Sequence, residues 1–171
     1  MSGFVGAASR RELLLMNDAV QIKGSKNLRK GRVSISGQPY LITSTIHKRE
    51  ELLSDKKTNS IVAGALKWLH DNNRIDLLAY VIMPDHLHFV AALKIGTLPE
   101  LMHSLKSYTA KRINKALKRE GKIWQDQYHD HAVRKEEDLK EIVYYCLNNP
   151  VRKKLVQDYH DYPYWYCKWE V

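Results

Sequence analysis

The chain has 171 residues, 44% of them hydrophobic and 27% charged, the balance of one globular domain with a real core. Its formal net charge of +9 favours polyanionic partners, by steering and by release of counterions. Two cysteines without a CxxC pair exclude a disulfide framework or zinc knuckle, and no apolar run approaches the ~20 residues that cross a bilayer.

Residues 1–36 carry seven Lys/Arg, among them Arg29, Lys30 and Arg32, against two acidic residues. Gly3, Gly6, Gly24 and Gly31 interrupt the one apolar patch there, Leu13-Leu14-Leu15, which is too short for a secretory core. A cytoplasmic, reducing location is expected. Residues 1–30 read as a basic, weakly structured extension, and residues 31–171 as the folded domain.

Within that domain, Tyr40–Ile46 is β-branched and predicts a strand. Residues 55–71 predict a helix, because Val62, Leu66 and Leu69 recur at i, i+4, i+7. Asp76–Met83 and Leu87–Leu93 flank Pro84-Asp85 and predict two strands joined by a tight turn. Thr97 is a suitable N-cap, and Pro99 fits the first turn of a helix that Gly121 closes. Residues 101–122 hold seven Lys/Arg, including Lys106, Lys111, Arg112 and Lys115, against one acidic residue. His129–Arg134 is a short strand candidate. Lys135–Leu147 predicts a last helix with Glu136, Glu137 and Asp138 at its positive end, stopped by Pro150. The aromatic segment Tyr159–Trp169 is expected to pack a tail onto the sheet. The order β-α-β-β-α-β-α predicts an α+β fold: a ferredoxin-like split-βαβ antiparallel sheet with helices on one face, plus a C-terminal helix carrying a tyrosine.

Chemistry concentrates at two places. His86 and His88, one residue apart on a strand, point to the same face, so their neutral imidazoles can converge on one divalent cation. Such a pair alone is more often structural or exposed than ligating, and a catalytic metal needs more ligands. Tyr145 and Asn149, four apart on a helix, share a side, and Asn149 supplies a third ligand; Asn148, its neighbour, is the competing choice. Two imidazoles and one amide suit Mg²⁺ or Mn²⁺ only if substrate phosphate oxygen and water complete the shell. A tyrosine can form covalent intermediates, but its unperturbed pKa of roughly 10 means that attack at neutral pH needs a nearby cation.

Four stretches occur in order: Gly31–Thr43 (GRVSISGQPYLIT), Val81–His88 (VIMPDHLH), Trp124–Arg134 (WQDQYHDHAVR) and Tyr145–Val151 (YCLNNPV). Together they resemble the REP-associated tyrosine transposases, a branch of the single-tyrosine HUH transposase superfamily. The resemblance covers most of residues 31–156. It implies a ferredoxin-like HUH transposase domain, with His86, His88 and Asn149 as metal ligands and Tyr145 as nucleophile. It also implies cleavage of single-stranded DNA through a 5′-phosphotyrosine, and recognition of imperfect palindromic hairpins. Arg29, Lys30, Arg32, Lys106, Lys111, Arg112 and Lys115 are the expected phosphate contacts, and Trp124, with Tyr128, the expected base-stacking residues. The protein would then act as a monomer or homodimer on single-stranded or hairpin DNA, with no membrane partner. A hairpin-binding protein that has lost catalysis is the main competing reading. An RNA-binding ferredoxin-like domain is a weaker one, since no RNP-type aromatic motif is present.

Overall fold

The β-branched run after Gly37 forms strand β1 (Pro39–Thr45) in a computed structural model that describes residues 33–134 and 137–169. The expectations for residues 1–30, and for Arg29, Lys30 and Arg32, lie outside the described residues. Gly37 enters β1 at φ 80°, a left-handed turn that glycine takes without strain. The two alternating segments around Pro84-Asp85 form β2 (Ile75–Met83) and β3 (His86–Leu93). Helix α1 (Lys56–Asp71) is capped by Asp55, whose carboxylate accepts from the Lys57 and Thr58 amides. Helix α2 (Leu98–Leu117) opens on a full capping box between Thr97 and Glu100. It ends on left-handed Lys118, earlier than the Gly121 stop that the sequence suggests.

Strand β4 (His129–Ala132) and a short β5 (Trp165–Cys167) complete a sheet of order β4-β1-β3-β2-β5, antiparallel at every pairing. The first four strands with α1 and α2 reproduce the expected ferredoxin-like layout. β5 was not predicted; it turns the expected packing of the aromatic tail into an added edge strand. Tyr166 stacks on Tyr80 at 5.7 Å, and the Tyr162 hydroxyl donates to the Ile82 carbonyl at 2.8 Å.

Strand alternation gives the sheet two different faces. One presents Ile42, Leu87, Phe89 and Leu93 to Val62 and Leu66 of α1 and Leu101 and Leu105 of α2. The other presents Leu41, Val81, Met83 and Val90 to Ile142, Val143, Cys146 and Leu147 of helix α3 (Leu139–Leu147). Helix α3 starts at Leu139, after its Asp138 cap, four residues later than the Lys135 start that the sequence suggests. Pro150 does not end helical structure. It sits in the first turn of a four-residue helix, α4 (Asn149–Arg152), where a missing N–H costs nothing. No helix among the described residues is long and apolar enough to cross a membrane.

Phe89 has no exposed surface in the α1/α2 core. Phe89→Ala is expected to cost about 3–5 kcal/mol, because the cavity adds to the lost transfer energy. Urea unfolding should read this as a lower midpoint at unchanged slope.

Candidate active site

On β3 the odd residues Leu87 and Phe89 enter the α1/α2 core, so His86 and His88 project from the opposite face, the one covered by α3. Their rings meet edge to face with centroids 4.7 Å apart. Register places Thr43 of β1 and Val81 of β2 beside His88, and Thr45 and Met83 beside His86. Each imidazole is tied back through Nδ1: that of His88 to the Thr43 hydroxyl at 2.7 Å, that of His86 to the Asp85 carboxylate. Asp85 in turn accepts from Arg49 at 2.9 Å. With both Nδ1 atoms engaged, a cation would be held through Nε2, the usual arrangement in which an outer partner fixes a ligand ring.

Burial lowers the pKa of His86 below its ordinary value, and the Asp85 partner only partly offsets this. His88 is held well below its ordinary value by burial first, then by His86 and by the positive charge of Arg152. Both rings are therefore in the neutral, ligating form at pH 7. Asp85 stays ionised: burial would raise its pKa, but the His86 and Arg49 contacts outweigh it. Lys48 and Arg49, in the loop that reaches Asp85, both take left-handed φ values of 54° and 56°, a costly backbone for non-glycine residues.

Helix α3 packs across β2 and β3 through its apolar side. That orientation leaves Tyr144 49% exposed and turns Tyr145 half-buried against the same core. The two asparagines separate in the same way: Asn149 is 6% exposed, whereas Asn148 lies outward and its amide donates to the Tyr144 carbonyl at 3.0 Å. The Asn149 amide nitrogen donates to the Tyr145 and Cys146 carbonyls at 3.2 and 2.9 Å, which leaves Oδ1 as the atom to offer a cation. His86, His88, Tyr145 and Asn149 thus lie on one face of the sheet. Among the described residues no three His, Cys, Asp or Glu side chains gather into a metal group. Two neutral imidazoles and one amide oxygen would make only a partial shell. Such a donor set would suit Mn²⁺ or Mg²⁺ once water and substrate oxygens were added.

Two further cations beside this face, Arg152 and Lys153, escape the sequence reading. The Arg152 guanidinium sits over the Tyr145 ring, 4.4 Å from its centroid, and the charge of Lys153 acts on both histidines. A signal existed, since 145, 149 and 152 continue one helical stripe at i, i+4, i+7. Reading Pro150 as a stop hid it.

The basic helix α2 lies on the other face of the sheet. Lys111, Arg112 and Lys115 are exposed there, with Arg112 over the Tyr108 ring at 5.9 Å. Lys106 instead anchors a loop, giving its ammonium to the Gln125, Asp126 and Gln127 carbonyls at 2.8, 3.4 and 3.0 Å. Trp124, expected to stack on a base, is a core residue. It is 5% exposed and its Nε1 donates to the buried Thr109 hydroxyl at 2.9 Å, because this segment bridges to Ile46 and closes the α2 core. Tyr128 is also buried.

The profile of a family described as "Transposase IS200 like" matches residues 34–149. Over 136 residues the chain is 26% identical to the REP-associated tyrosine transposase of Escherichia coli (strain K12), covering 78% of each. Its fold is also similar, with a TM-score of 0.64 and 24% identity, to a REP-associated tyrosine transposase solved bound to a REP hairpin; the match covers 78% of this chain and 79% of that one.

Proposed function

The chain belongs to the IS200-like transposase family, and from that premise we propose that it is a metal-dependent single-stranded DNA endonuclease and strand transferase acting beside hairpins of repetitive palindromic elements. Tyr145 is the nucleophile. Its Oη forms a bond to phosphorus as the P–O3′ bond breaks, leaving a 5′-phosphotyrosine and a free 3′-hydroxyl. His86, His88 and Asn149 would hold Mg²⁺ or Mn²⁺, which would supply polarisation of the scissile phosphate and offset its developing charge. Thr43 and Asp85 keep the two rings aimed, and Asn149 ties its own backbone turn to that of Tyr145. Because the phosphotyrosine conserves the energy of the broken ester, a second 3′-hydroxyl can attack it and rejoin the strands.

The observation that carries this reading is the pair of neutral, Nδ1-anchored histidines on the sheet face covered by the tyrosine-bearing helix. The hairpin substrate is carried over from the relative solved with a REP hairpin. The test is incubation with Mn²⁺ and labelled single strands carrying such a hairpin and its flanks. A covalent adduct stable to denaturation should form on the 5′ end of the downstream fragment, and the upstream fragment should be extendable by a polymerase. Tight hairpin binding with no cleavage on any strand would instead favour a binding protein that has lost catalysis.

A further inference from the structure

We propose that Arg152 is a catalytic residue of this reaction, its guanidinium binding a nonbridging oxygen of the scissile phosphate beside the ring of Tyr145. The inference rests on the assignment of Tyr145 as nucleophile made above.

Two observations place the guanidinium there. Helix α4 follows α3 with almost no break: the Arg152 amide donates to the Asn148 carbonyl and the Lys153 amide to that of Asn149, both at 3.0 Å. The stripe of Tyr145 and Asn149 therefore extends by one more turn to Arg152. At that position the guanidinium sits 4.4 Å from the Tyr145 centroid.

The backbone beneath it is fixed. Left-handed Lys154, at φ 57°, closes α4, with the Lys154 and Leu155 amides donating to Val151 and Pro150 carbonyls at 2.9 Å. These bonds hold the backbone, while the guanidinium itself is exposed to incoming strands and rests against the Tyr145 ring. A guanidinium carries five N–H donors round a planar edge, so it can meet an aromatic ring with its face and a phosphate with its edge. Lysine offers a point charge without that fork.

The step balances without further reagents. Tyr145 loses its phenolic proton to solvent as Oη bonds to phosphorus, and the departing O3′ takes a proton from solvent. Arg152 stays protonated throughout. It faces the negative charge that builds on the nonbridging oxygens in attack, and again when the phosphotyrosine is resolved.

Single-turnover adduct formation tests this with two hairpin substrates, one with an ordinary diester at the cleavage position and one with an uncharged methylphosphonate there. Arg152→Ala should slow the diester by about 10²–10³-fold, the usual loss for one charge-stabilising donor. It should leave the methylphosphonate rate nearly unchanged, and Arg152→Lys should fall between. Mn²⁺ affinity, read by electron paramagnetic resonance, should stay at the wild-type level. Equal slowing of both substrates would mean that Arg152 only supports the helix, and would overturn the proposal; so would a diester rate within a few-fold of wild type. If wild type forms no adduct, or Tyr145→Phe still forms one, the functional reading has failed and this inference with it. A normal wild-type adduct with an unaffected Arg152→Ala enzyme sinks the inference alone. Should Arg152→Ala fail to fold, Arg152→Gln carries the same comparison.

Discussion

Tyr145→Phe is expected to abolish the covalent protein–DNA adduct while hairpin binding stays close to wild type. Loss of the nucleophile lowers turnover by about 10⁴-fold or more in serine proteases, and a loss of that size places the variant below detection on a denaturing gel. The substitution removes one oxygen from a half-buried ring that keeps its packing against the α3 core. Stability should therefore move by no more than about 0.5 kcal/mol. Tyr144→Phe is the internal control, since that ring faces outward and lies edge-on to Tyr159 at 6.2 Å. Adduct formation by Tyr145→Phe, or its loss in Tyr144→Phe, would remove the nucleophile from the place assigned to it.

The second large effect is on metal binding. His86→Ala and His88→Ala should each weaken Mn²⁺ binding by more than the roughly 10–100-fold that loss of an outer partner costs. The double variant should bind no measurable Mn²⁺. Asp85→Asn supplies the smaller effect for comparison, because it touches the cation only through His86. His88→Ala also strands the Thr43 hydroxyl in a partly buried position, at a cost of about 1–3 kcal/mol. Urea unfolding therefore accompanies the metal titration, so that loss of fold is not read as loss of ligand. An unchanged Mn²⁺ affinity in the double variant would show that the histidine pair is not the metal site.

Much of the fold was legible because the deciding signals are local. Alternation across Pro84-Asp85, the Thr97 cap and the 62-66-69 stripe each name an element without help from distant residues. The same alternation put the two imidazoles on one side of a strand and Leu87 on the other. What escaped depended on tertiary company. Strand β5 exists only because β2 offers an edge to pair with, and nothing in Trp165-Tyr166-Cys167 announces that partner. Trp124 and Lys106 looked like surface groups in a basic stretch. A bridge to Ile46 and three loop carbonyls draw them inward instead. Arg152 was missed for a local reason, since proline stops a helix in its interior but starts one at its first turn.

The strand bearing the two imidazoles occupies the middle of the sheet, laddered to β1 on one side and β2 on the other. Its amides can exchange with solvent only when a neighbour is stripped away, which makes it among the last parts of the domain to open. Tyr145, the proposed nucleophile, rides on a nine-residue helix that meets the sheet through side chains, by packing and by a hydrogen bond between the Cys146 thiol and the Val81 backbone, with no ladder to the sheet. In the cycle of cutting and resealing proposed above, the histidine pair would be the anvil, and travel of the attached strand end would fall to the helix that carries Tyr145.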